Sequence, residues 1–528
     1  MHVALIRPNT DIELFKIYSE SLSLGYLSAV LRENEIETDL VDAYLENISV
    51  EDLTKKIFKK NYKIVGFSIY NAASLSWVSK AAKLIKKENP NIHITVGGHT
   101  PSFDYEYILQ GVPEIDSIVR FEGEHILLNL AKAIFNKEDW RTIKGLAFRD
   151  DDKVISNELS PLISDLDELP FAHRDYLPYL INNHREEYTA YINRGRGCYR
   201  KCVFCSIPRF FSVPSGKIFR QRSNEHLLSE IENLVTNYQV KDFTFIDDVF
   251  IPPSKEGKLN TIKLAKEIEK KRLNIQFSIA ERIDNLDEEL IDALISAGLI
   301  RIFIGLEAAT QKILDQLDKR ISRKIMESTM EWLLKKNIDV EISFINFLPF
   351  NTLEDIRENI LFFSYLGLDT LRSLGNRLEP YPGTSIHDIL RTTKNLRRTD
   401  FSYDYIGNTV DSRVDTFYKI IEPSIPFLAL VSYQLRHVKT FFRQISQFVK
   451  ALGTLYNNLI SLQKVIVFEV RDILIKLIEY LRKNKDIDIE PIRKELYQTL
   501  VQRTEQWLGL LLDSKKQLEK EAYNGAMV

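Results

Sequence analysis

Cysteine is nearly absent from this sequence. There are three in 528 residues, all inside the stretch Cys198-Tyr199-Arg200-Lys201-Cys202-Val203-Phe204-Cys205. An odd number confined to one loop excludes the framework of a secreted, disulfide-stapled domain. An excess of one charge is also missing. Lys and Arg number 71 against 74 Asp and Glu, a net charge of −3, so nothing global favours a polyanionic partner and no nucleic acid is expected. Long apolar runs are lacking too. The most apolar stretch, Ile425-Pro426-Phe427-Leu428-Ala429-Leu430-Val431, is interrupted by Pro426 and falls short of the ~18–20 residues of a spanning helix, so no transmembrane segment is expected. The opening Met1-His2-Val3-Ala4-Leu5-Ile6-Arg7-Pro8 reads as a short strand stopped by Arg and Pro, not as the apolar core of a signal peptide. These absences together lead to the expectation of a protein of the reducing cytoplasm.

What is present is ordinary globular material, 44% hydrophobic and 27% charged, in a chain long enough for about three domains of ~150 residues. From residue 1 to about 145, β-branched runs (Val3–Ile6, Thr38–Val41, Ile64–Ser68, His93–Val96, Ser117–Val119) alternate with apolar residues at helical spacing, as in Leu24–Leu31 and Trp77–Ile85. This rhythm predicts an α/β domain with a parallel sheet wound by helices on both faces. Ligands of such sheets sit beyond the carboxyl ends of the strands. Those ends carry Asn9-Thr10, Ser68-Ile69-Tyr70-Asn71, Gly97-Gly98-His99-Thr100-Pro101 and Glu122-Gly123-Glu124. Residues 146–187, punctuated by Pro161, Pro170 and Pro178, read as a linker. From 188 to 395 the rhythm returns, with strands expected at Thr189–Asn193, Asp242–Ile246, Gln276–Ile279, Arg301–Ile304, Val340–Phe347 and Thr370–Leu378. Six such strands suit a partial (β/α)6 barrel with its site at the strands' carboxyl ends, and the cysteine loop follows the first of them. Residues 396–528 read as a helical domain, expected to cap the barrel mouth.

The C-x3-C-x2-C spacing supplies three thiolates, one short of the four that close a structural zinc site or a conventional iron–sulfur cluster. In a 4Fe-4S cluster, three ligands leave one iron open to a small molecule. Gly195 and Gly197 let the backbone wrap such a group. A zinc loop completed by a distant His, or three unligated thiols, fits the spacing as well.

The loop, with aromatic Phe204 before its last cysteine, resembles the signature of radical S-adenosylmethionine (SAM) enzymes. Further motifs follow in that family's order: Ile246-Asp247-Asp248, Ser278-Ile279-Ala280-Glu281-Arg282, Ile304-Gly305-Leu306-Glu307-Ala308, Leu348-Pro349-Phe350 and Glu379-Pro380-Tyr381-Pro382-Gly383-Thr384. The preceding domain, with Leu24-Gly25-Tyr26-Leu27 and the Gly97-Gly98 and Glu122-Gly123-Glu124 turns, is similar to the cobalamin-binding class of these enzymes. The Asp-x-His-x-x-Gly loop of other cobalamin proteins is missing, as it generally is in the resembled class. His99 would be a wall or hydrogen-bonding residue rather than a cobalt ligand.

The resemblance implies that Cys198, Cys202 and Cys205 hold a 4Fe-4S cluster whose open iron binds SAM, and that reductive cleavage yields a 5′-deoxyadenosyl radical able to attack an unactivated carbon. Phe204 and the Gly305-Leu306-Glu307 turn would face the adenine and ribose, Ser278 and Arg282 the SAM carboxylate, and Asp247 would be a further cofactor contact. Ser68, Gly97, Gly98, Thr100, Glu122 and Gly123 would contact cobalamin, with capping, ion-pairing and ordinary turn roles as the alternatives for these residues. The implied reaction is methylation of a carbon of a small-molecule or peptide substrate, with electrons from a donor such as flavodoxin or ferredoxin. Ring formation or rearrangement without methyl transfer is the alternative reaction. A zinc-binding scaffold without enzymatic activity is the alternative class.

Overall fold

The computed structural model describes residues 2–9, 18–69, 73–184, 188–399, 402–446, 453–484 and 487–526. The expected ligand positions Thr10, Tyr70 and Asn71 lie outside them, as does part of the helical stretch Tyr433–Tyr456. The chain divides into two compact units, one of Met1–Ala280, Asp292–Leu299 and Pro380–Asp404, the other of Glu281–Ile291, Ile300–Glu379 and Tyr405–Val528.

In the first unit, β1 (His2–Arg7), β2 (Glu37–Asp42), β3 (Tyr62–Ser68), β4 (His93–Gly97), β5 (Ser117–Val119), β6 (Leu146–Asp150) and β7 (Lys153–Ser156) form one sheet in the order β2-β1-β3-β4-β5-β6-β7. The first five run parallel, and β6 and β7 are antiparallel. Two apolar layers flank the sheet, as strand alternation dictates. Ala4, Ile6, Val65 and Phe67 pack with Leu53, Val78 and Ile85 on one face. Val3, Leu5 and Ile64 pack with Val30, Leu127 and Leu130 on the other. All five expected strands form. The expected linker 146–187 does not begin as one: β6 and β7 continue the sheet to Ser156, because a largely buried short strand and a half-buried one, separated by Asp151-Asp152, make a hairpin that the proline pattern does not reveal.

His93 is buried in this domain, with Nε2 2.9 Å from Ser117 Oγ and its ring edge-on to Trp140. Burial pushes its pKa down to about 4. The folded state keeps His93 neutral while the unfolded chain takes up a proton below ~6.5. The stability it contributes is therefore complete above that pH and lost as pH falls towards about 4. Thermal melting of the apo-protein from pH 7 to 5 is expected to show a steeper loss for the wild type than for His93→Gln; equal slopes would remove His93 as the cause.

Next in the same unit come β8 (Ala190–Ile192), β9 (Gly195–Arg196), β10 (Arg220–Gln221), β11 (Asp242–Phe245) and β12 (Gln276–Glu281, of which Glu281 belongs to the second unit). β8, β11 and β12 pair in parallel. Phe243, Phe245, Phe277 and Ile279 are buried on one face. Tyr191, Thr244 and Ser278 alternate with buried neighbours and are half-buried on the other. The second unit holds β13 (Leu299–Glu307, whose first residue belongs to the first unit) and β14 (Asp339–Phe344), also parallel. The α/β class, the parallel strands and the helical C-terminal region are as expected. The sixth expected strand, Thr370–Leu378, is instead a 3-10 turn over Leu371–Gly375 and a single parallel bridge between Phe347 and Arg377.

The C-terminal helices do not stand apart from β13 and β14. Helix Ile425–Ser446 passes Asp369, which accepts from Ser432 Oγ at 2.5 Å. It then places Arg436 2.7 Å from Glu341 and Thr440 3.1 Å from Arg301. Arg301 and Glu341 lie near the starts of their strands, so this helix serves the amino ends of β13 and β14 and not the mouth it was expected to cap. At the carboxyl side the C-terminal region contributes the Asn408-Thr409 turn, bonded to the Leu348 and Pro349 carbonyls at 3.0 and 2.7 Å. Tyr405 and Trp507 are core residues. No helix among the described residues is long and apolar enough to cross a membrane.

Candidate functional site

The site in the first unit starts where β8 ends. Arg194, fully buried, and Gly195 donate their backbone N–H groups to the Asp247 carboxylate at 2.5–3.1 Å, and Gly197 donates to Asp248 at 3.0 Å. Burial pushes Asp247 up to about 7 against the pull of those N–H groups. Asp247 is therefore not the cofactor contact expected of it; its oxygens are taken up in anchoring the arm that enters the cysteine loop. Gly197 has φ +89°, and a Cβ there would collide with the Ile218 carbonyl. Only glycine turns the chain into Cys198 at this point.

The three cysteines form no disulfide and are half-buried. Cys205 N–H donates to the Cys202 carbonyl at 3.1 Å. Burial pushes the Cys205 thiol up to about 12, and negative charge on Cys202, Asp248 and Cys198 adds to that rise. A thiol held back from ionising by burial and by its neighbours' charge suits a cationic cluster core, which would supply the compensating charge. Among the described residues no three His, Cys, Asp or Glu side chains bracket a single ion. Phe204 is half-buried in the turn before Cys205.

At the carboxyl end of β4, Gly98 has φ +117° and leaves room for the Ile69 carbonyl. Ser68, Gly97, Gly98 and Gly123 are half-buried, and Thr100 is buried in the short helix His99–Phe103. His99 lies in an aromatic cluster. Its ring stacks on Phe210 (5.5 Å, 24°), is 5.2 Å from Phe103 and meets Tyr381 edge-on. Burial pushes its pKa down to about 4, opposed by a hydrogen bond to the Ser206 backbone, so the ring is neutral near pH 7. Its buried Nε2 has no hydrogen-bond partner. A small-residue turn and an orphaned ring nitrogen at the strand ends fit a large polar cofactor there.

Glu122 departs from expectation. Arg196 donates to its Oε1 at 3.0 Å, and Arg220 donates to Oε2 at 2.8 Å and to Oε1 at 3.1 Å. The Ile163 N–H donates to Oε2 at 2.8 Å. Arg196 also reaches Glu124 at 2.6 Å. Burial alone would raise the Glu122 pKa, but the two guanidiniums hold it below the usual carboxylate value. The carboxylate is spent on the protein, joining the turn after β5 to the strand that leads into Cys198.

Ser278 Oγ lies 3.0 Å from Thr244 Oγ1, which lies 3.0 Å from Thr189 Oγ1, a hydroxyl row on the half-buried face of β8, β11 and β12. The remaining expected residues are in the second unit. Arg282 is not open to a carboxylate ligand, because its Nε is 2.9 Å from Asp284 and its Nη2 donates to the Lys319 carbonyl at 2.7 Å. Gly305 and Glu307 end β13, and Glu307 Oε1 accepts from Lys319 Nζ at 2.9 Å. Sequence reasoning did not single out the partners of these residues: Arg196 and Arg220 on Glu122 and Phe210 against His99 in the first unit, and Lys319 on Glu307 in the second.

The chain matches the family models of the B12 binding domain over residues 15–131 and of the Radical SAM superfamily over residues 192–363. It is 28% identical over 391 residues to an uncharacterized methyltransferase of Pyrococcus horikoshii, covering 73% of this chain and 82% of that protein. It is 30% identical over 348 residues to the anaerobic magnesium-protoporphyrin IX monomethyl ester cyclase of Rubrivivax gelatinosus, covering 63% of this chain and 60% of the cyclase. Among solved structures, the cobalamin-dependent S-adenosylmethionine radical enzyme OxsB with aqua-cobalamin and S-adenosylmethionine bound is similar with a TM-score of 0.73 at 20% identity, over 100% of this chain and 83% of that one. At that identity the likeness is one of fold.

Proposed function

This chain belongs to the cobalamin-binding radical SAM proteins, and from that premise we propose that it methylates a carbon atom of a small-molecule or peptide substrate. In this reading Cys198, Cys202 and Cys205 hold the cluster as thiolates. Phe204 faces the SAM nucleoside, and Ser278 offers a hydroxyl from the half-buried face of β12. Ser68, Gly97, Gly98, Thr100 and Gly123 border cobalamin. A bound 4Fe-4S cluster with SAM on its open iron supplies reductive carbon–sulfur cleavage, and cobalamin supplies the methyl group. The protein's own part is to orient these groups and exclude water. The His99, Phe103, Phe210 and Tyr381 rings, on the helix that follows Cys205 and around it, give that region a dry apolar wall. The electron donor would be a flavodoxin or ferredoxin.

The observation that carries the reading is the buried ion cluster of Glu122, Glu124, Arg196 and Arg220. It fastens a strand-end loop of the B12-binding domain to the arm of the cysteine loop, so that two cofactors of one reaction are held in register. The similarity to a ring-forming cyclase supports a second reading, oxidative ring closure without methyl transfer. The two differ in product mass. With SAM labelled in its methyl group, methylation adds a labelled carbon to the product, whereas cyclisation removes two hydrogens and transfers no label. The expected result is labelled product; unlabelled product lighter by two hydrogens would select the second reading.

A further inference from the structure

We propose that the cations around the cysteine loop, Arg200, Lys201, Arg209 and Lys217, form the docking surface for an acidic one-electron carrier protein that reduces the cluster. This rests on the reading above, in which the three cysteines hold a cluster that takes its electron from outside. The charge of the whole chain hides the feature. Acids and bases nearly balance, 74 against 71, yet the stretch from Tyr188 to Asn224 holds eight Lys and Arg and no Asp or Glu. Four of the eight are bonded inside the protein, among them Arg196 and Arg220 to Glu122. Lys201, Arg209 and Lys217 are exposed and have no ion-pair partner among the described residues, and Arg200 is half-buried over the Tyr199 ring.

The fold gathers these cations around the thiols. β9 and β10 pair antiparallel, Gly195 with Gln221 and Arg196 with Arg220, so the segment between them leaves and returns at one place. Tyr199 meets Phe219 edge-on at 5.8 Å across its base. Gly197 lies against the Ile218 carbonyl, which brings the backbone of Lys217 close to the entry of Cys198. Arg200 and Lys201 stand between Cys198 and Cys202, and Arg209 is one turn into the helix Ser206–Ser212 that follows Cys205. The helix Ser385–Thr392 donates its Ile386 N–H to the Val203 carbonyl at 3.1 Å, but its acid, Asp388, is paired with Arg391 at 3.0 Å. The half-buried thiols thus lie within a positively charged rim open to solvent. Electron transfer weakens steeply with distance, so a carrier must approach this loop, and complementary charge steers such brief encounters through a small interface. A nucleic acid asks for an extended basic track along its phosphates, for which four cations on one loop are too few. In the transfer the carrier is oxidised by one electron and the cluster is reduced by one, with no atom passing between the proteins.

The test uses the anaerobically reconstituted full-length protein as wild type, as the loop variant Lys201→Glu/Arg209→Glu/Lys217→Glu, and as the control Lys80→Glu/Lys83→Glu/Lys87→Glu. The control reverses three exposed lysines of helix Ala73–Glu88 and has the same net charge as the loop variant. Oxidised flavodoxin and oxidised ferredoxin, both acidic, are titrated onto each protein at low and at high salt. Formation of 5′-deoxyadenosine is then measured with the reduced carriers and with dithionite. The loop variant is expected to bind the carrier that the wild type accepts about tenfold or more weakly at low salt, with the gap closing at high salt and the control matching the wild type. Carrier-driven 5′-deoxyadenosine falls with binding, while the dithionite-driven yield is equal in all three. Equal weakening in both variants, or in neither, overturns the proposal, as does a wild type that binds no carrier. A loop variant that loses polyuridylate binding and keeps the carrier assigns the surface to nucleic acid instead. Should the loop variant fail to assemble a cluster, Lys201→Gln/Arg209→Gln/Lys217→Gln must show the same selective loss. A wild type that forms no 5′-deoxyadenosine even with dithionite defeats the radical SAM reading beneath; one that forms it while the loop variant takes electrons from the carrier equally fast defeats this proposal alone.

Discussion

Cys198→Ala, Cys202→Ala and Cys205→Ala are each expected to reduce reductive SAM cleavage to the background of cofactor-free protein, with reconstituted iron and sulfide falling in parallel. Their apo-proteins should melt within about 2 °C of the wild type. The asymmetry follows from where the thiols sit. They are half-buried and form no disulfide. The turn that holds the last of them is closed through backbone, Cys205 N–H to the Cys202 carbonyl, and alanine keeps that bond. The anchors of the arm, Asp247 and Asp248 on the N–H groups of Arg194, Gly195 and Gly197, are untouched as well. A variant that retained full cleavage would deny its cysteine a ligand role. One that lost cleavage together with cooperative melting would show the thiols to be structural.

Glu122→Ala should give the second-largest effect, and of the opposite kind. It leaves the guanidiniums of Arg220 and Arg196, 2% and 15% exposed, facing a void where both had a carboxylate. Glu124 still serves Arg196, so Arg220 bears most of the loss. Breaking one side of a buried ion pair costs about 3–5 kcal/mol. Because only Gly197 separates Arg196 from Cys198, the cluster loop should loosen with it. The expected outcome is a melting temperature lowered by several degrees and reduced cobalamin retention and iron content in the same preparation, with Glu122→Gln intermediate. Wild-type stability with full loading of both cofactors would mean that the ion cluster does not couple the two sites.

Much of this was legible in sequence because it is local. The C-x3-C-x2-C loop names its own chemistry, and the five strands of the first sheet announce themselves by β-branched runs at regular intervals. What escaped is long-range. Glu122 meets Arg196 and Arg220 across 74 and 98 residues, and nothing near any of the three marks the pairing. Lys319 is an unremarkable lysine until the bulge at Glu307 brings the two together. Asp247 and Arg282 were read by residue type, as an acid and a guanidinium at strand ends. Their surroundings decide otherwise, since backbone N–H groups and Asp284 reach them. The sixth strand failed for a similar reason: Thr370–Leu378 has strand-like residues, but helix Ile425–Ser446 packs on the turn at Leu371–Gly375, where an Ile425 side chain lies close against Gly375.

The central claim is tested most directly by incubating the anaerobically reconstituted protein with SAM and a strong reductant and quantifying 5′-deoxyadenosine, with Cys198→Ala alongside. The account predicts accumulation of 5′-deoxyadenosine in the wild type and none above background in the variant. A wild type that binds no iron–sulfur cluster and releases no 5′-deoxyadenosine would contradict it.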